Sequence, residues 1–111
     1  MRRTFCAILI ALILISAVSI TAYAEVMTAG TRIGGMGTIM GNGINFREGP
    51  GTGYTSQYSL YSGETGVLTH AYPSYPNPTW YRMKMTSSAH FGKIGWASSA
   101  YVSVTNVVTE D

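Results

Sequence analysis

Hydrophobic and polar positions alternate in short runs along most of this chain, and clusters of Gly, Pro, Asn and Ser separate the runs. Beyond the N-terminal segment no stretch keeps apolar residues at i, i+3, i+4 and i+7, so the pattern predicts strands rather than helices. Residues 36–40 read as a first strand. Gly41-Asn42-Gly43 then supplies residues that tolerate positive φ for a tight reversal into a second strand at 44–47. Residues 48–54 carry Gly49, Pro50, Gly51 and Gly53 and are a loop; strands follow at 58–61 and 66–72, separated by a turn at 62–64. Pro73, Pro76 and Pro78 break the chain before a strand at 80–85. A loop through Ser87, Ser88 and His90 returns it to 93–97, a single turn covers 98–100, and a strand at 101–104 closes the domain. Residues 25–35 are polar and glycine-rich and read as a flexible leader. Residues 105–111 carry no pattern and read as a tail.

The N-terminal segment is of another kind. Met1-Arg2-Arg3 precedes an apolar run from Phe5 to Ile15, which loosens through Ser16 and Ser19 and ends in Ala22-Tyr23-Ala24. The run is shorter than the roughly 20 apolar residues of a spanning helix, and Ala-x-Ala is a signal-peptidase site. Residues 1–24 are therefore expected to be a secretory signal cleaved after Ala24, an uncleaved anchor being the alternative. Cys6, the single cysteine, lies inside it, so the mature chain is expected to form no disulfide.

Composition is informative only when counted from Glu25 onward. The formal +2 of the whole chain comes from Arg2 and Arg3, because the rest holds five basic and five acidic residues. A neutral chain argues against sequence-independent nucleic-acid binding and against attraction to anionic membranes. The 87 residues after Ala24 make one small domain, and its large apolar side chains are mainly aromatic: seven Tyr, two Trp and two Phe. All 13 Gly and 11 Thr fall here as well, a composition of strands and turns. The expected fold class is all-β.

Three segments then carry a resemblance. Asn45-Phe46-Arg47-Glu48-Gly49-Pro50-Gly51-Thr52-Gly53-Tyr54 resembles the Asn-Val-Arg-x-Gly-Pro-Gly-Thr-x-Tyr signature of bacterial Src-homology-3 (SH3) domains. Trp80-Tyr81-Arg82-Met83 resembles that family's Trp-Tyr-Lys-Val strand, and residues 95–102 resemble its closing Gly-Trp-Val-x-Ser-x-Tyr-Leu. The resemblance covers residues 36–104 and implies a small, partly open β-barrel of five to six strands. The loops at 73–78 and 86–92 are longer than the family's usual turns, so ligand specificity there does not carry over.

Candidate chemistry for an enzyme is sparse. Glu48 and Glu64 are the only non-terminal carboxylates of the domain, and both read as solvated loop residues. His70 reads as an outward strand residue and His90 as a loop residue, too few ligands for a catalytic zinc. No Ser lies in Gly-x-Ser-x-Gly, and no glycine pattern cradles phosphate. No metal or cofactor is expected, and a small hydrolase is a remote reading.

Strand parity points to binding instead. Tyr81, Met83 and Met85 share one face of their strand and are expected in the core, while Trp80, Arg82 and Lys84 share the other. Ala97 is small, and the resemblance gives it the core parity of the family, which turns Trp96 outward. Trp80, Trp96 and Tyr101 are therefore the candidate lining of one aromatic groove, with Tyr54 and Tyr75 as loop residues at its rim. The alternative is that Trp96 and Tyr101 complete the core of a small barrel. Asn45 and Arg47 are expected to hold the loop of Gly49, Pro50 and Gly51 through side-chain hydrogen bonds. In SH3 domains the equivalent aromatic positions form the peptide-binding surface. The resemblance thus implies a secreted, non-enzymatic module that binds peptidoglycan peptide or another extracellular peptide or protein. The alternative is a stand-alone interaction subunit or inhibitor of a separate secreted enzyme.

Overall fold

The computed structural model describes residues 29–109. The expected signal at 1–24, with Cys6, lies outside the described residues, as do 25–28 and 110–111. Seven strands form one antiparallel sheet: β1 (Thr31–Ile39), β2 (Ile44–Arg47), β3 (Ser56–Leu60), β4 (Thr65–Tyr72), β5 (Trp80–Met85), β6 (Ile94–Ser98) and β7 (Val102–Thr109). Their order is β3-β2-β6-β5-β4-β1-β7. Short 3-10 turns at Ser88–His90 and Ser99–Tyr101 lead into β6 and β7. The protein is all-β, as the alternation implies.

The strand count differs from that of the partly open barrel implied by the resemblance. There are seven strands rather than five or six, and the edge strands β3 and β7 do not pair, so the sheet does not close into a barrel. It nevertheless curls. Flat, seven strands would span about 28 Å from edge to edge at the usual spacing, yet every strand contributes to one buried cluster. Leu60 from β3 and Val102 from β7 join Phe46, Leu68, Met83 and Ala97 from the strands between. Backbone bonds secure the curl: Ile39 N donates to Glu64 O (2.8 Å), Gly63 N to Ile39 O (2.9 Å), and Met40 N to Tyr101 O (2.8 Å). The parity within β5 holds, with Tyr81, Met83 and Met85 buried and Trp80, Arg82 and Lys84 on the outer face.

The expected leader and tail are corrected where the structure describes them. β1 starts at Thr31, five residues before the expected strand, and buries Ile33 in the core. β7 continues to Thr109 and pairs along β1, with Ile33 opposite Thr109 and Gly34 opposite Val108. The pairing shifts register between Gly34 and Met36. Gly35 makes that shift possible: its φ is +125°, and a Cβ there would lie 2.9 Å from the carbonyl oxygens of Thr105 and Asn106. Asn106, at φ +55°, is the matching irregularity on β7. The two segments that looked patternless are a bulged strand pair (β-bulge) whose alternation the extra residue interrupts.

Candidate functional site

The neighbours β2, β6 and β5 bring a set of outer-face side chains together. Trp80 lies directly across from Ser98, and Arg47 across from Trp96. Below them the turn at 41–43 and the 3-10 turn carrying Tyr101 form a second wall. Between these walls is a groove of about 500 Å³, lined by Gly41, Asn42, Gly43, Ile44, Asn45, Arg47, Thr52, Trp80, Ser98 and Tyr101. Trp80 is half-buried and Tyr101 is 47% exposed, so two aromatic rings face solvent-accessible space.

Local sequence explains the shape of the groove. Arg47 Nη1 donates to Tyr54 O (2.8 Å) and Thr52 O (3.2 Å), folding the loop at 48–54 back on β2 as expected for its loop-structuring role. Asn45 acts differently from expectation: its Oδ1 accepts from Ser56 Oγ (3.1 Å), joining β2 to the start of β3 rather than bonding loop backbone. Inside the loop, Gly51 N donates to Gly49 O (3.0 Å) and Tyr54 N to Gly51 O (3.2 Å), with Pro50 at the corner. The ring of Tyr54 lies on Gly49, where a Cβ would come within 2.5 Å of it. On the opposite wall, Asn42 Oδ1 accepts from Ser62 N (3.1 Å) and fixes the 41–43 turn.

Of the five expected aromatic residues, Trp80 and Tyr101 come together in the groove. Trp96 does not line it. Its side chain is on the outer face, as parity requires, but is 0% exposed. The ring packs edge-on against Tyr72 and tilted against His70, with centroids 6.4 Å away in each case. Trp96 therefore completes a small second cluster on the outer face. Tyr54 covers Gly49 and is absent from the lining, and Tyr75 folds back from its loop to pack on the core. Burial, with the Tyr75 phenol adding in the same direction, pushes the Tyr81 phenol above its ordinary value.

Sequence reasoning missed the small walls, Asn42, Ile44, Thr52 and Ser98. The only signal for Asn45 and Arg47 as lining was their shared outward parity on β2. It also missed a partly buried pair. Glu64, expected to be solvated, is 8% exposed; its Oε2 accepts from Tyr61 N (2.7 Å), and its Oε1 lies 2.7 Å from His90 Nδ1. The pair joins the β3–β4 turn to the β5–β6 loop, where His90 also packs on Tyr58 at 5.5 Å. No short-range pattern links residues 26 positions apart in sequence.

The groove lining has no carboxylate, imidazole or thiol, so what it offers chemically is ring contact, a guanidinium and amide or hydroxyl hydrogen bonds. Among the described residues no three His, Cys, Asp or Glu side chains come together as a metal site would need. No protein-family model, curated protein or solved structure matches this chain.

Proposed function

We propose that the protein is a secreted binding module of the bacterial SH3 type, and that it takes up peptidoglycan peptide or another extracellular peptide in the groove beside Trp80. One observation carries this reading: Trp80 and Tyr101, from segments 21 residues apart in sequence, present their rings to the same open groove. Rigid rings give contact area with little conformational entropy to lose. Arg47 and Asn45 on the adjoining wall supply donors for peptide carbonyls. The resemblance at residues 45–54, 80–83 and 95–102 supports the same class of ligand.

The test is co-sedimentation of the full chain with purified peptidoglycan, beside a pull-down from the secreted proteins of the same cells. Retention on peptidoglycan is the expected result. Capture of a single protein with no retention on the wall would replace wall binding by the interaction-subunit reading.

A further inference from the structure

The groove beside Trp80 carries a charge that ring contact alone does not use. Arg47, at the end of β2, is the charged residue of its lining, and no carboxylate lines the groove with it. The loop at 48–54 fixes this side chain. Both hydrogen bonds that do so come from Nη1, one to Thr52 O (3.2 Å) and one to Tyr54 O (2.8 Å). A guanidinium is planar and rigid, so anchoring Nη1 twice sets the orientation of the whole group. The anchors are neutral carbonyl oxygens, which leave the positive charge in place. They also leave the other edge of the group, Nε–H with one Nη2–H, outside the bonding that holds the loop. Such an edge matches the two oxygens of a carboxylate.

The two asparagines of the lining favour the same ligand. Asn45 Oδ1 accepts from Ser56 Oγ (3.1 Å), and Asn42 Oδ1 accepts from Ser62 N (3.1 Å). Each amide thus uses its acceptor within the fold, and the group it keeps for a ligand is the NH2 donor pair. Both residues are exposed. The polar part of the groove is therefore a set of donors around one cation, beside the rings of Trp80 and Tyr101. A neutral peptide seated there would cover the guanidinium charge without pairing it, which is costly. A peptide with a carboxylate both covers and pairs it.

We propose that the groove selects peptides that carry a free carboxylate, bound by the Nε–Nη2 edge of Arg47 while the adjoining part of the peptide packs on Trp80 and Tyr101. Selection of this kind rests on the reading of the groove as the peptide site, and it defines the charge of the ligand. The same chemistry is offered by the C-terminus of a peptide and by an acidic side chain within one.

The experiment is a proton–nitrogen correlation titration of the full chain at low ionic strength with three blocked peptides: acetyl-trialanine as the free acid, the same peptide as its C-terminal amide, and acetyl-Ala-Glu-Ala amide. Saturable shifts at the Arg47 Nε–H and Trp80 Nε1–H signals are expected with an acid. Its affinity should exceed that of the neutral amide by about tenfold or more, the size of a lost charge-assisted hydrogen bond. Preference for the free acid identifies a chain terminus as the source of the carboxylate; preference for the Glu peptide identifies a side chain. The comparison is made on the ligand because a substitution of Arg47 would also release the loop at 48–54. Trp80→Ala reports on the groove itself and should weaken acid and amide alike. Equal affinities for all three peptides, lost together in Trp80→Ala, would overturn the carboxylate and leave the groove reading standing. Acid selectivity at Arg47 that Trp80→Ala does not touch would do the reverse. Acid selectivity without a shift at Arg47 Nε–H, or no saturable binding of any of the three, would overturn the carboxylate site.

Discussion

Glu64 shows how much one side chain can organise in so small a domain. Its two oxygens serve a backbone N–H on one loop and an imidazole on another, and nearly all of it is out of water. Truncation leaves both partners without their acceptor, which costs about 1–3 kcal/mol for a buried group. Glu64→Ala should therefore lower the urea-melt stability by that amount, and a loss within about 0.5 kcal/mol, the usual surface effect, would show that the pair holds nothing. Tyr81 gives a pH dependence at the same scale. Its phenol is pushed up by burial and by Tyr75, so the native state keeps a proton that the unfolded state releases above the ordinary phenol value of about 10. The unfolded state then binds fewer protons, and stability falls as pH rises from about 10 upward, while below it this group has no effect. Tyr81→Phe should flatten that alkaline decline in melts run across the range. Equal slopes for parent and variant would contradict the assignment.

The elements differ in how far they could be read from sequence. β5 was fully legible because its alternation is strict: Tyr81, Met83 and Met85 face the core, and Trp80 faces out. β2 and the loop at 48–54 were legible for a different reason, since turn residues and an Arg close to them define the reversal. β1 and β7 were not. Gly34 and Gly35 read as linker chemistry, and only the partner strand shows that Gly35 is required by a close backbone approach. Trp96 was half legible: parity gave its face correctly, but its burial depends on Tyr72 and His70, which arrive from β4 across the intervening β5. These are tertiary facts with no local trace. Gly35→Ala tests the strand pair directly. At φ +125° with two carbonyl oxygens in the way, it should cost about 1–3 kcal/mol and reduce amide-exchange protection along β7 first. Free exchange at residues 105–109 in the parent protein would instead restore the tail reading.

For the molecule as a whole, the curl of a single sheet separates two jobs. One face converges on the Phe46, Leu68 and Met83 core, and the other is left to present side chains in rows that the register sets. The groove at Trp80 and Tyr101 is a consequence of that outer register. Because Trp80 adds little to the core, its loss should spare the fold while removing a central contact. The decisive measurement is the affinity of Trp80→Ala for peptidoglycan fragments, or for the protein captured in the pull-down, with circular dichroism confirming that the variant is folded. A loss of about 2 kcal/mol or more is expected for a central aromatic contact, roughly 30-fold in affinity. A folded variant that binds as tightly as the parent would contradict the groove as the binding site.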